Sequence, residues 1–469
     1  MHEQKNGKYL SLDEIHFSSA SYDFADEIIA GEVYEKLKNE IAFLSRTQRE
    51  IVMMFYYDRL KQNQIAKQTG LPIGTVKWHL FESRNSLKEG MNMKREKGLL
   101  GIRPVKFNSM GHCGCSGSLG DTSDFLRKTL SQNIAYAAYH EPKTINEIAK
   151  ELGVSPVFIE DEVDYLVEYG FIDKVDSNSY LTNIFLTEVT HNVVEKEHEL
   201  TKKYAGILVD KYILLVIEAI KAPDLSQIYF PYNDFNFLLW STITHALSYK
   251  LAIGNLWDES DQFMVRRKDG GNYIAWANVE TDISPSYNPE LYDFCGNMTR
   301  GSSKYSISAW QIDSYYDSRT GRWRDNLSTD YEYLFEAFTG KLTKDETNID
   351  KYKRIFDKGY LISDSDKDVV NMVVIRSKEL FENSLPGISD ELKAIGNEYD
   401  DEIFNLKKTL YPKHMQALCR AWSRNCLCQG STLTRVLEIL VERKILALPS
   451  EIQKHGLNTI LFSDILPLP

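Results

Sequence analysis

Between Gly74 and Gly90 the sequence reads GTVKWHLFESRNSLKEG, and helical spacing sorts its side chains into three rows. Val76, Leu80, Ser83 and Leu87 form a small, mainly apolar back. Thr75, Trp78, Glu82 and Asn85 project from the opposite face, and Lys77, Arg84 and Lys88 run along one flank. This pattern suits one kind of chemistry. The cations neutralise phosphate oxygens, while the front offers donors, acceptors and a ring to base edges. Thr75, Trp78, His79 and Glu82 are therefore the candidate base-facing residues, and Lys77, Arg84 and Lys88 the candidate phosphate contacts.

Other reactive groups form no comparable pattern. His112, Cys113 and Cys115 lack the spacing of a zinc knuckle, as do Cys426 and Cys428, and no completing cluster follows them. No metal is expected, and the six cysteines read as reduced thiols. There is no G-x-S-x-G, P-loop, H-E-x-x-H or dinucleotide fingerprint. The turns KDGG and RTGR are too short to cradle phosphate, and His191, His198 and His245 are scattered. The chain is not expected to be an enzyme, and nothing implies a cofactor.

The elements that must hold the reading face are visible upstream. Ser45 and Gln48 have capping-box spacing, and Ile51, Val52, Phe55 and Tyr56 follow as a helical stripe. A short helix is predicted from about Asn63 to Thr69, ended by Gly70 in a left-handed conformation. Pro72 suits the first turn of the next helix, predicted to run to about Glu89. Helix, glycine turn and helix make a helix-turn-helix. The segment 32–97 holds 13 Lys/Arg and 8 Asp/Glu, a net +5 in a chain of net −12, so the remainder carries −17. A basic module on an acidic body is the asymmetry of a regulator with one DNA-binding end.

The run FLSRTQREIVMMFYYDRLKQNQIAKQTGLPIGTVKWHLFESRNSLKEG resembles region 4 of sigma-70 family factors, in the extracytoplasmic-function style. Gly74, Thr75, Val76, Lys77, Leu80 and Arg84 match the family's recognition helix, whereas Trp78, His79 and Glu82 depart from it. The resemblance covers about 60 residues and implies recognition of a −35-like promoter element in duplex DNA and contact with core RNA polymerase. The departures mean that the family's base preference does not carry over. A complete sigma factor also has region 2 upstream, and only about 40 residues precede this module. The expectation is either a chain that starts late or a protein that is not self-sufficient.

Residues 98–122, rich in Gly and Ser, read as a linker after an N-terminal arm at 1–31. Residues 123–187 read as a winged helix. Thr144 and Glu147 cap one helix, Gly153 ends it, Ser155 and Pro156 open the next, and Gly170 precedes a hairpin wing. Its would-be recognition helix carries Glu160, Asp161, Glu162, Asp164 and Glu168, and 123–187 holds 5 Lys/Arg against 11 Asp/Glu. Phosphate repels such a helix, so this unit is expected to pair with protein, its own copy being one choice.

Residues 188–469 read as α+β, a sensor or assembly domain with an antiparallel sheet. Trp240, Trp257, Trp276, Trp310 and Trp323 serve either as its aromatic core or as the lining of a pocket for an unknown small ligand. No stretch is long and apolar enough for a membrane span, and no secretory signal opens the chain, so a cytoplasmic bacterial protein is expected. The fold class is mainly α with an α+β C-terminal part, in several domains. The leading expectation is a sigma-type transcription regulator. The alternative is a one-component, ligand-responsive repressor or activator that does not bind core polymerase.

Overall fold

Short helices dominate the first part of the chain because the sequence supplies their caps. The structure, a computed structural model, describes residues 24–92, 98–222, 227–250, 261–283, 297–312, 327–364, 367–428, 430–457 and 459–463. Most of the expected N-terminal arm, with Trp257 and Trp323, lies outside the described residues. The chain divides into two units, one of residues 1–188 with 263–281, the other of 189–262 with 282–469.

The first unit opens with α1 (Phe24–Ile41), α2 (Arg46–Val52), α3 (Gln62–Thr69) and α4 (Ile73–Asn92). Ser45 and Gln48 close the capping box on α2, which runs on as a π-turn over Met53–Tyr57. Gly70 stops α3 at φ 71°, in open space, so the turn needs glycine for its backbone and not for room. Pro72 then lends its carbonyl to the amides of Thr75 and Val76, which starts α4. Ile51, Ile65, Val76 and Leu80 are buried together, with Leu44, Val52 and Leu87 as a second cluster. Each such side chain contributes about 1.5–3 kcal/mol on burial, which holds the three-helix crossing.

Residues 98–122 are not a bare linker. They contain α5 (Leu99–Ile102) and the nine-residue strand β1 (Phe107–Cys115). Next come α6 (Thr122–Phe125), α7 (Thr129–Ala137), β2 (Lys143–Thr144), α8 (Ile145–Leu152) and α9 (Glu160–Glu168). The strands β3 (Ile172–Lys174), β4 (Ser179–Thr182) and β5 (Phe185–Thr187) follow. Strands β2, β4 and β3 form a small antiparallel sheet beside the three helices α7 to α9. The Thr144–Glu147 capping box is made. Ser155, expected to cap α9, makes no side-chain cap, and a 3-10 turn at Pro156–Phe158 comes first.

The last part of the first unit comes from far along the chain. Strands β6 (Val265–Arg266) and β7 (Asn272–Val279) form the hairpin expected from the DGG turn, with Gly270 at φ 90°. That hairpin was assigned by sequence to the C-terminal body. Instead β7 lies antiparallel to β1 and parallel to β5. The linker reading failed because the small residues of β1 have a partner: a Cβ on Gly111 would come within 2.4 Å of the Trp276 ring. Glycine in a strand often marks such a close approach.

The second unit is α+β. A five-stranded sheet runs in the order 228–229, 373–375, 459–463, 307–312, 297–301. It is antiparallel but for the pair 373–375 and 459–463. Successive residues of the central strand face opposite cores. Ile460 and Phe462 pack with Trp240, Trp310 and the long helices, while Leu461 packs with Tyr331, Phe335 and Tyr360. Trp240 and Trp310 are core residues, and the Trp240 indole donates to the Ala447 carbonyl at 2.9 Å. No described helix is long and apolar enough to cross a membrane.

Candidate nucleic-acid interface

Helix α4 buries the side expected of it: Val76, Leu80, Ser83 and Leu87 all lie inside, with Gly90. Its outward side is less even than the sequence reading has it. Among the four candidate base-facing residues Trp78 is exposed, whereas Thr75, His79 and Glu82 are partly buried along the flank. Phe81, outside the four, stands out more at 60% exposure than Trp78 at 55%. Its signal was present: Phe81 is five residues beyond the buried Val76, which places it on the far side at about 100° per residue. Asn85 is exposed one turn further on.

The cations also divide. Lys77 and Lys88 are exposed and have no ion-pair partner among the described residues. Arg84, expected on phosphate, is partly buried, and its Nε donates to the Tyr56 hydroxyl at 2.6 Å. Tyr56 belongs to the π-turn after α2, so Arg84 braces α4 against that turn. His79 sits edge-on to Trp78 at 4.9 Å, and burial pushes its imidazole below the ordinary value.

The acidic helix α9 was expected to seek another protein. All five of its carboxylates are paired within its own unit. Glu160 is buried between Arg46 and Arg49 of α2. Arg46 also meets Asp161 at 3.1 Å and Asp164 at 2.8 Å. The hydrogen bond to Asp164 leads the causes that hold the Arg46 guanidinium above its ordinary value, with burial working against it. Glu162 takes Lys128 and the Ser131 hydroxyl, and Glu168 takes Lys268.

The other end of α9 is held as firmly. Arg267 donates to the Tyr169 carbonyl, just past the last turn, and lies 4.0 Å from the ring centres of both Phe171 and Tyr273. Acids at the amino end and a cation at the carboxyl end both suit the helix dipole. Arg46 and Arg49 sit more than a hundred residues before α9, so no spacing in the sequence ties them to it.

Cys113 and Cys115 lie on β1, and His112 Nδ1 is 3.1 Å from Asp121. Among the described residues no group of three or more His, Cys, Asp or Glu side chains is gathered so as to hold a metal ion.

Three helices with a glycine turn, an apolar back and an exposed third helix carrying lysines define a helix-turn-helix DNA-binding module. Residues 34–87 match the family Sigma-70, region 4, and so span the end of α1 through most of α4. This segment is a sigma-70 region 4 domain, which supports a DNA-binding, sigma-factor-like role. No curated protein and no solved structure matches the chain.

Proposed function

We propose that this protein regulates transcription initiation by placing α4 in the major groove of a −35-like promoter element while the same module contacts RNA polymerase. The observation that carries the reading is the one-sided helix α4. Its apolar back is fully buried in a sigma-70 region 4 domain, and Lys77, Trp78, Phe81, Asn85 and Lys88 remain exposed on its outer side. The lysines supply the phosphate attraction that dominates affinity, and the residues between them meet base edges.

We read the segment 123–187 as a winged helix turned to internal use. A recognition helix whose carboxylates are paired with Arg46, Arg49, Lys128 and Lys268 does not present a cation to DNA. It stiffens the platform behind region 4. The charge that would have drawn a second copy is balanced within the chain, so the reading does not need self-association.

Two measurements on the full chain test this. Electrophoretic mobility shifts on duplexes from promoter regions should show retardation that weakens steeply with salt, and Lys77→Ala should weaken it. Co-precipitation with purified core polymerase should recover a complex. DNA binding without polymerase binding would make the protein a one-component regulator; no DNA binding at all would end the proposal.

A further inference from the structure

Two large rings stand in water on the face of α4 that the fold leaves uncovered. Trp78 and Phe81 are 55% and 60% exposed, three residues apart and so side by side on one helical face. Exposed apolar side chains scattered singly need no explanation, but a pair on the functional helix, beside two lysines with no ion-pair partner among the described residues, does. The lysines exclude an ordinary apolar protein partner as the best fit. They call for a surface that is anionic at the rim and apolar within.

The major groove of A·T-rich DNA has that character. Phosphates line its edges, and each thymine presents a C5-methyl group on its floor. Asn85 adds a second chemistry, because a carboxamide pairs bidentately with adenine N6 and N7. From Phe81 to Asn85 the helix rises about 6 Å, which spans roughly two base pairs at about 3.4 Å each. A thymine methyl under the rings and an adenine edge under Asn85 therefore fall within one short stretch of duplex. The side chain that would accept from a cytosine amine, Glu82, is partly buried on the flank.

We infer that Trp78 and Phe81 form an apolar ridge that reads thymine methyl groups, with Asn85 reading adenine beside them, so that the target of α4 is an A·T-rich element. This rests on the DNA-binding reading above and names the base preference that reading leaves open.

The test uses the full chain. A pool of randomised duplexes is selected for binding, and the recovered sequence is made again with deoxyuridine in place of each thymine in turn. Uracil keeps every hydrogen-bonding group and lacks only the methyl. At one or two positions the swap should weaken binding about three- to fourfold, the size expected for losing one buried methyl group. Phe81→Ala should erase the thymine–uracil difference at one of them, and Phe81→Leu should restore part of it. Lys77→Ala should weaken thymine and uracil duplexes alike. Phe81 is exposed, so its replacement leaves the fold intact. Selected duplexes that bind thymine and uracil forms equally, or a G·C-rich consensus, would overturn this inference and leave the DNA-binding reading standing. A pool from which nothing is enriched would overturn both.

Discussion

Replacing Glu160 by Gln removes one negative charge from the junction of α2 and α9 while keeping its shape. Glu160 is 5% exposed and Arg49 17%, so both sit mostly out of water. Removing one partner of a buried ion pair costs about 3–5 kcal/mol, chiefly because the other charge is left unpaired. Arg46 is 47% exposed and keeps Asp161 and Asp164, so it rehydrates readily. The expected loss for Glu160→Gln is therefore about 2–3 kcal/mol, below the fully buried case.

A double-mutant cycle with Arg49→Met isolates the pair. Unit charges 4 Å apart attract by about 4 kcal/mol at an effective dielectric of 20, and desolvation takes back part of that, which leaves a coupling of about 2 kcal/mol. The assay is urea unfolding of the full chain, with amide exchange followed over residues 46–57 and 160–168 so that the first unit is read by itself. Salt distinguishes this pair from its neighbour: the Arg49–Glu160 coupling should survive at high ionic strength, whereas any Arg46–Asp161 coupling should fade. A coupling under about 0.5 kcal/mol would refute the account of α9 as an internally docked helix.

Other outcomes follow from single contacts. Gly111→Ala drives a methyl group against the Trp276 ring and should cost about 1–3 kcal/mol in urea unfolding, part of it regained when Trp276 is also changed to Leu. Leu80→Ala empties the centre of the region 4 core and should cost about 2–5 kcal/mol by the same measurement. Lys77→Ala and Lys88→Ala should each lower the slope of log affinity against log salt by about 1, measured by fluorescence anisotropy on one duplex. His79 is held below its ordinary value of 6.5 by burial, and burial likewise depresses His198 and His245. The unfolded chain binds these protons more readily, so the stability they support is intact above 6.5 and is lost as pH falls below it. His79→Phe should reduce that loss in the first unit, seen as a flatter dependence of its urea midpoint on pH.

How much of the site was legible depends on the range of the interactions involved. The back of α4, the Ser45–Gln48 box, the left-handed Gly70 and the start at Pro72 were all readable, and each rests on residues within a turn or two of one another. Arg84 shows the limit of that range. On a helical wheel it sits beside Lys77 and Lys88, but it lies nearest of the three to the buried side, and Tyr56, 28 residues back, claims it. Phe81 is apolar, so the polar rows of the front do not point to it. The acidity of α9 was legible, but its partners were not, because Arg46 and Arg49 lie more than a hundred residues upstream.

The sequence by itself determined the local grammar of this protein: where helices start and stop, which side of α4 is buried, and that a basic module is joined to an acidic body. Those properties follow from backbone conformation, capping and periodicity, all short-ranged. Only the tertiary structure decided that the glycine-rich segment after the module is a strand, that its partner is drawn from residues 272–279, and that the acidic helix docks on the arginines of α2. Each of these depends on which distant side chain fills a space or balances a charge. Spacing along the chain does not encode that choice, because pairing and packing are settled when the elements meet.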